Sequence, residues 1–367
     1  MPRWLPFLTL FLSTYLLMHL TVWAAIKPLR SKLRLSHPAL ATIALFFFAP
    51  LLSRLFEHHN LETLAQLFAW GGYLWMGVLF ISFSYLTPLL FWNLSLHYTS
   101  GYLRQNATAG TRTCSIVLIL IALLSGYALF SGDRITVRRI DLETPKLPPK
   151  VPELRIVQIS DLHLGLRLRE EKLQQVVDLI QPLAPDLIVV TGDLLDGDVG
   201  DPTLLYALFS QLEPPMGKYA ISGNHEVYVG QKEAEEFFQK SGLQLLDGRW
   251  DDPGPLLIAG LADPASGALP SQEIFPNGSE ERFRLLLKHR PTETPQALSD
   301  LQLSGHTHGG QIAPFNLMTS LAHPYPPGLV RLSNGWLYTS RGTGTWGPPM
   351  RLFSPAEITL IRLQRPQ

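Results

Sequence analysis

The 367-residue chain has room for two domains of ordinary size, and its formal net charge is zero. That average hides a split, because residues 1–133 carry eight Lys/Arg against three Asp/Glu and the remainder carries an excess of acidic residues. No strongly basic field is present to hold nucleic acid by its phosphates. The single cysteine, Cys114, excludes both a disulfide framework and a thiolate metal site within one chain.

The first third of the chain is unusually apolar and contains four stretches that could cross a bilayer, at residues 4–26, 38–56, 64–92 and 113–130. A spanning helix needs ~20 mainly apolar residues. Pro50 and Arg54 interrupt the second stretch and the fourth is near the short limit, but four spans are favoured over three or five. The first stretch is interpreted as an anchor rather than a signal peptide, because its apolar run is long and basic residues follow it. We therefore predict an α-helical transmembrane bundle in residues 1–133.

Basic loop residues give an orientation for these spans. Four of them share the short loop after the first span: Lys27, Arg30, Lys32 and Arg34. Short positive loops stay in the cytoplasm, and Arg104 and Arg112, between the third and fourth spans, agree with that placement. With an even number of spans, the rest of the chain lies on the outer, periplasmic face of a cell (inner) membrane. Arg134, Arg138 and Arg139, just after the last span, favour the opposite side.

Residues 134–367 show alternating strand and helix patterns. Strands are predicted at residues 135–140, 154–159, 187–190, 219–222, 256–261, 283–288, 301–304 and 357–363. Helices are predicted at residues 169–180, 204–212 and 231–240. This alternation predicts a layered α/β domain.

Polar side chains follow five of these strands directly. They are Asp161 and His163, Asp193, Asn224 and His225, His289, and His306 and His308. Ligand sites in open α/β sheets form at the carboxyl ends of strands, and residues two apart in extended chain project to the same side. Each motif alone is more often a turn, a helix cap or a solvated loop. However, five of the six histidines in this part of the chain fall at such positions and only His323 lies outside, so we expect one shared site.

The residue types at these strand ends indicate metal chemistry. Imidazole, carboxylate and amide groups without sulfur suit Mn, Fe or Zn rather than copper(I) or an iron–sulfur cluster. Gly192, Gly223 and Gly305 stand beside these residues. We expect these glycines to let backbone pass close to a bound ion where a Cβ would clash.

The same residues carry a resemblance to a known family. The motifs are Asp161-x-His163, Gly192-Asp193-x-x-Asp196, Gly223-Asn224-His225-Glu226, an isolated His289 and Gly305-His306-Thr307-His308. In order and spacing they resemble the motif series of the calcineurin-like metallophosphoesterases, over about residues 150–315. The ending, from Ser340-Arg341-Gly342 to Glu357-Ile358, is similar to the bacterial membrane-associated phosphodiesterase branch.

This resemblance implies a four-layer αββα sandwich in residues 134–367 that binds two divalent metal ions. Asp161, His163 and His308 would hold one ion, Asn224, His289 and His306 would hold the other, and Asp193 would bridge them. His225 would be a non-ligand that donates to the phosphate or the leaving group, and Asp196 would orient it. The implied reaction is hydrolysis of a phosphomonoester or phosphodiester by a hydroxide that bridges two metals.

Three classes of function stay open from the sequence. The leading one is a hydrolase whose phosphate-ester substrate is membrane- or envelope-associated, lipid-linked esters included. Within it, the branch resemblance admits a UDP-2,3-diacylglucosamine-type pyrophosphate hydrolase in glycolipid (lipid A) biosynthesis, but that substrate is cytoplasmic and conflicts with the predicted orientation. The others are a non-catalytic metal-binding membrane scaffold, which the complete ligand set disfavours, and a transport protein, which the lack of acidic residues inside the spans disfavours.

Overall fold

The computed structural model describes residues 4–30, 37–99, 101, 109–166, 170–197, 199–268, 274–293 and 299–366. The chain divides into two units, one formed by residues 1–130 with 347–352 and the other by residues 131–346 with 353–367. Residues 347–352, which lie in the sequence range predicted for the α/β domain, thus belong to the first unit. Lys32, Arg34 and Arg104, which entered the orientation argument, lie outside the described residues.

The first unit is built from four long apolar helices. These are α1 (Trp4–Ala25), α3 (His37–His58), α4 (Glu62–Ser95) and α5 (Thr111–Asp133), with a one-turn α2 at Lys27–Arg30 and a 3₁₀ turn at Leu96–Tyr98. Each long helix is long and apolar enough to cross a membrane, so the predicted bundle of apolar helices is confirmed. Pro50 lies inside α3 without ending it.

Close packing inside this unit depends on small residues. A Cβ placed on Gly72 of α4 would lie 2.8 Å from the Cβ of Ala49 in α3, so glycine lets the two helices approach closely. The segment 347–352 adds a contact with α5, because the backbone N–H of Arg351 donates to the carbonyl of Ala128 at 2.8 Å.

The second unit contains twelve strands and five α-helices among the described residues. The strands are β1 (Ile135–Glu143), β2 (Glu153–Ile159), β3 (Leu187–Thr191), β4 (Lys218–Ile221), β5 (Gln244–Leu245), β6 (Trp250–Asp251), β7 (Leu256–Leu261), β8 (Phe283–Lys288), β9 (Leu301–Ser304), β10 (Gly328–Arg331), β11 (Trp336–Thr339) and β12 (Ala356–Gln364). The helices are α6 (Glu170–Ile180), α7 (Thr203–Ser210), α8 (Asn224–Val229), α9 (Gln231–Lys240) and α10 (Phe315–Ala322). Short 3₁₀ turns lie at Gln181–Leu183, Pro264–Ser266 and His308–Gly310.

These strands form two six-stranded sheets. The first has the order β1-β12-β2-β3-β4-β5, in which β12 is parallel to β1 and antiparallel to β2, and the remaining pairs are parallel. The second has the order β10-β11-β9-β8-β7-β6, parallel from β11 to β7 and antiparallel at both edges. Parallel strands place their carboxyl ends at one edge of the sheet, and the polar motifs lie in the loops at that edge.

Alternation along the strands divides the core between the faces of the sheets. Ile156 and Val189 of the first sheet pack in one buried cluster with Ile258 and Leu285 of the second. The next residue, Val157, lies in another cluster with residues of α6, α7 and α9. On the second sheet, a separate cluster joins β7 and β8 to Ile274 and Phe275. The predicted α/β sandwich is confirmed.

The structure also contains elements that the sequence patterns did not indicate. β5 and β6 are two residues long, too short to show a period, and β10 is only partly buried. Among the helices, α8 has six residues and α10 has no buried residue. The helix predicted at 169–180 is observed from Glu170, and residue 169 lies outside the described residues.

Candidate metal centre

The loops after β2, β3, β4, β8 and β9 bring the predicted site residues together. Six of these side chains are buried: Asp161, His163, Asp193, Asn224, His289 and His308. The other three, Asp196, His225 and His306, are partly buried at the same place. Three loops come from adjacent strands of the first sheet and two from adjacent strands of the second, so the site lies at the carboxyl edge of both sheets.

The first cluster of donor atoms contains Asp161, His163 and His308, whose potential ligand atoms all lie within 4.8 Å of one another. Nε2 of His163 is 3.0 Å from Nε2 of His308, and the latter is 3.5 Å from Oδ1 of Asp161. Burial lowers the pKa of His163 to about 4, which favours a neutral ring with a lone pair available. Two imidazole nitrogens and a carboxylate oxygen this close together form a donor set for a cation.

The second cluster contains Asp193, His289 and His306. Nε2 of His289 lies 3.0 Å from Oδ2 of Asp193 and 3.2 Å from Nδ1 of His306. Nδ1 of His289 is 2.8 Å from the carbonyl of Thr191, and a carbonyl only accepts, so Nδ1 carries the hydrogen. The neutral ring therefore directs its Nε2 lone pair at the carboxylate of Asp193.

The electrostatics of this second cluster favour a positive charge. Burial lowers the pKa of His289, but the attraction and hydrogen bond of Asp193 outweigh it and raise that pKa to about 10. For Asp193, burial raises the pKa, whereas the same interaction with His289 and the neighbouring histidines lowers it overall. A divalent cation would supply the positive charge beside Asp193 that the proton on His289 otherwise supplies, so these residues fit a metal ion.

The side chain of Asn224 is an independent sign that this edge is built to bind a ligand. Its Oδ1 is buried and has no hydrogen-bond partner among the described residues, and the same holds for Nδ1 of His163. The backbone N–H of His225, the next residue in the chain, donates to Oδ1 of Asp193 at 2.9 Å, which holds the loop of Asn224 against Asp193. Buried acceptors are almost always paired, and a cation would satisfy this one.

His225 and Asp196 form a separate hydrogen-bonded pair. Nδ1 of His225 lies 2.7 Å from Oδ1 of Asp196. Burial lowers the pKa of His225, but its hydrogen bond to Asp196 and nearby carboxylates raise it overall. The rings of Tyr228 and Trp346 contact His225 at centroid distances of 5.4 and 5.6 Å. His225, Asp196 and His163 also lie close enough to form a third donor cluster.

Backbone strain is concentrated in these loops. Five non-glycine residues of the site have positive φ, namely Asp161 (52°), His163 (55°), Asp193 (52°), His306 (70°) and His308 (49°). Each such conformation costs ~1–3 kcal/mol and persists where the surrounding structure holds it. The surrounding structure therefore holds these loops in the conformation that brings the candidate metal ligands together.

The three motif glycines allow neighbouring loops to touch. A Cβ on Gly305 would overlap the hydroxyl of Ser160 and the carboxylate of Asp161, and one on Gly223 would overlap Asp193. Gly192 combines a φ of 89° with close approach to His289. The expectation that these glycines clear space directly beside an ion is thus refined, because the atoms that a Cβ would meet belong to the neighbouring loops.

Glu226 is a site residue to which the sequence assigned no role. Its buried carboxylate accepts hydrogen bonds from the backbone N–H groups of Asp193 (2.9 Å), Gly223 (2.7 Å) and Leu195 (3.0 Å). It therefore ties the loop after β3 to the loop after β4. The sequence feature that could have pointed to this role is its position in the Gly-Asn-His-Glu motif.

Two further groups at the site gave no sequence signal. The ring of His323, which the sequence placed outside the motif pattern, lies 5.3 Å from that of His306. Arg290 forms a bidentate ion pair with Asp263, at 2.8 and 3.0 Å, and Asp263 is buried. The charge of Arg290 helps to lower the pKa of His306 to about 3, after the larger effects of burial and of His289.

Comparisons with known proteins find relatives that share most of this chain. Residues 154–310 match the family model described as calcineurin-like phosphoesterase. An "uncharacterized metallophosphoesterase" of Aquifex aeolicus is 32% identical over 259 residues, which cover 67% of this chain and 98% of that protein. A Campylobacter jejuni protein with the same description is 34% identical, over 67% of this chain and 68% of its own length. A "transmembrane protein with metallophosphoesterase domain" of Danio rerio is 32% identical over 285 residues. The matched region covers 71% of this chain and 64% of that protein.

Proposed function

This chain belongs to the calcineurin-like metallophosphoesterases, and we propose that it hydrolyses phosphomonoesters or phosphodiesters at a centre of two divalent cations. The observation that carries the proposal is that Asp193 belongs to the second donor cluster, while its backbone carbonyl accepts a hydrogen bond at 3.0 Å from the N–H of His163 in the first. Mn, Fe or Zn suits such donors. Asp161, His163 and His308 are proposed to hold one ion, and Asn224, His289 and His306 the other, with Asp193 shared by both.

Bound cations would supply Lewis acidity and a water of lowered pKa at neutral pH. The remaining chemistry falls to the protein's own residues. His225, protonated and held by Asp196 through Nδ1, donates from its other nitrogen to the phosphoryl or leaving oxygen. Arg290, held by Asp263 and partly exposed, adds fixed positive charge beside His306 for an anionic substrate.

The substrate is proposed to be an ester located at or in a membrane. Four helices long enough to span a bilayer support anchoring by residues 1–133, with hydrolysis assigned to residues 134–367. The Danio rerio relative is itself described as a transmembrane protein, which supports the same arrangement. We further propose the inner membrane with the α/β unit on its outer face, which protease accessibility in intact and permeabilised cells would test.

The test of the catalytic proposal is a set of three variants purified in detergent. Asp193→Asn should lose most turnover of an aryl phosphate ester and bind less metal, because the shared ligand is weakened. His225→Ala should keep both metals while its rate falls ~10²–10⁴-fold. Asp201→Asn, an exposed loop position, is the control and should match wild type. Full activity in Asp193→Asn would contradict the proposal, and metal loss in His225→Ala would show that His225 is a ligand.

A further inference from the structure

Helix α10 exposes an apolar surface that water does not favour. None of its eight residues is buried. Leu317, Met318 and Leu321 are 64%, 61% and 89% exposed, and Phe315 is 45% exposed. Burying such side chains away from water is favourable, and clustered exposed apolar residues mark an interaction surface.

The chain segment that contains α10 lacks the charged side chains that keep an exposed helix in water. No Asp, Glu, Lys or Arg occurs between residues 301 and 330. The helix's own hydroxyls bond internally, since Thr319 and Ser320 donate to the carbonyl of Asn316 at 3.0 and 2.7 Å. By contrast α9 exposes ion-paired Lys240 and Glu236. An uncharged helix whose two hydroxyl groups bond to its own backbone is suited to an apolar medium.

Both ends of α10 adjoin the metal centre. At its start, Gly310 ends the turn that carries His308 and packs so closely on Asn316 that a Cβ would overlap it. At its end, His323 follows the helix and contacts the ring of His306 at 5.3 Å. The helix therefore forms part of the rim of the site.

An exposed tryptophan extends this rim. The side-chain amide of Gln311 pairs with the backbone of Trp346, donating to its carbonyl and accepting from its N–H at 3.0 Å each. Trp346 is 51% exposed beside His225. It is followed directly in the chain by residues 347–352, which belong to the apolar helical unit. Tryptophan is the residue most typical of the membrane–water interface.

We propose that α10 lies in the interfacial layer of the bilayer, with its apolar residues among the lipid tails and headgroups. The occupant of this surface is the lipid itself, because the surface is uncharged and the same chain carries four apolar helices of membrane-spanning length. The dinuclear site then opens at the level of the headgroups. This placement indicates phosphate esters carried by lipids as the substrate class, a step that rests on the proposed function.

A site-specific probe tests the placement of α10 without reference to activity. Cys114 is the only cysteine and is buried, so Leu321→Cys in a Cys114→Ala background accepts one fluorophore in the full chain. In nanodiscs containing brominated lipids, we expect the Leu321→Cys probe to be quenched at least about twofold more than in unbrominated nanodiscs. The matched probe at Glu236→Cys, exposed on α9, should not be quenched. Equal, weak quenching at both positions would overturn the proposal.

A second experiment links the surface to the substrate. The measurement compares turnover of a phosphatidic-acid-type ester in nanodiscs with turnover of a soluble aryl phosphate ester. In Leu321→Glu the ratio of the first rate to the second should fall about fivefold or more, because a charge opposes burial in the interface. Leu204→Glu, at a 61%-exposed position on α7, is the control and should keep the wild-type ratio. An unchanged ratio in Leu321→Glu would contradict the substrate class. If the wild-type protein hydrolyses neither ester, the proposed function fails, while the quenching experiment still decides where α10 lies.

Discussion

Nε2 of His289 and Oδ2 of Asp193 lie 3.0 Å apart with both side chains buried, while the carbonyl of Thr191 holds the other nitrogen of His289 as a donor. A lone pair and a carboxylate oxygen at this distance repel unless a positive charge lies between them. Either a proton on Nε2 or a bound cation provides it. We therefore expect this pair to couple metal binding, protonation and stability in the α/β unit.

Removing metal should lower the stability of the α/β unit. A ligand present at 100 times its Kd stabilises the folded state by ~2.7 kcal/mol. Chelation should therefore lower the unfolding temperature measured by calorimetry in detergent, and added Mn or Zn should restore it. Asp193→Asn is the comparison and should respond less to metal. Identical unfolding with and without metal would contradict a cation at this pair.

The metal-free protein should also lose stability at alkaline pH. The folded pKa of His289 is raised from 6.5 to about 10. The stabilisation from its proton is thus fully present below about pH 6.5 and is lost as pH rises through 10. We expect denaturant midpoints of the metal-free protein to fall between pH 7 and 10, and those of His289→Gln to fall less. Parallel profiles for the two proteins would contradict this coupling.

Asp196 should set the alkaline limit of activity. Its hydrogen bond helps to raise the pKa of His225 against the lowering effect of burial. If protonated His225 is the acid, the rate declines as pH rises through that pKa. Asp196→Asn should move this decline to lower pH, measured as kcat against pH at saturating metal. A decline at the same pH would exclude Asp196 from this positioning role.

Glu226 should be essential for the structure of the loops after β3 and β4. Glu226→Ala removes the acceptor of three backbone N–H groups, and each one left buried without a partner costs ~1–3 kcal/mol. Chemical denaturation should show that loss, and metal retention should fall with it. Glu236→Gln on the exposed face of α9 is the control. Wild-type stability in Glu226→Ala would mean that the two loops hold together without it.

Gly305→Ala should disrupt the first cluster of donors. The added Cβ would overlap Ser160 and Asp161, so the loop after β9 must shift and His306 and His308 with it. We expect loss of metal and most activity, measured by metal analysis and turnover. Gly126→Ala in α5 adds a methyl group where no atom lies within 4 Å and should leave both unchanged. Retained metal in Gly305→Ala would show that the loops tolerate separation.

The sequence predicts those parts of the fold that follow from local pattern. Buried runs such as Leu187–Thr191 show their strand character directly, and the polar residues after them mark the edge where the structure brings the donors together. The assignment of each donor to one metal stays a prediction. Glu226 could not be assigned a role, because its role consists of bonds to backbone groups of two loops. His323 was set aside, since its contact with His306 depends on where α10 packs.

The interior position of β12 in the first sheet has a consequence for biogenesis. Residues 356–364 pair with β1, more than 200 residues earlier, and with β2. During synthesis the ribosome therefore delivers both flanking strands long before the strand that joins them, and the sheet closes only when β12 has emerged. The segment 347–352 imposes the same delay on the helical unit. Residues 1–346 are therefore synthesised before either unit can be completed, and the unfinished sheet edge needs protection until β12 has emerged.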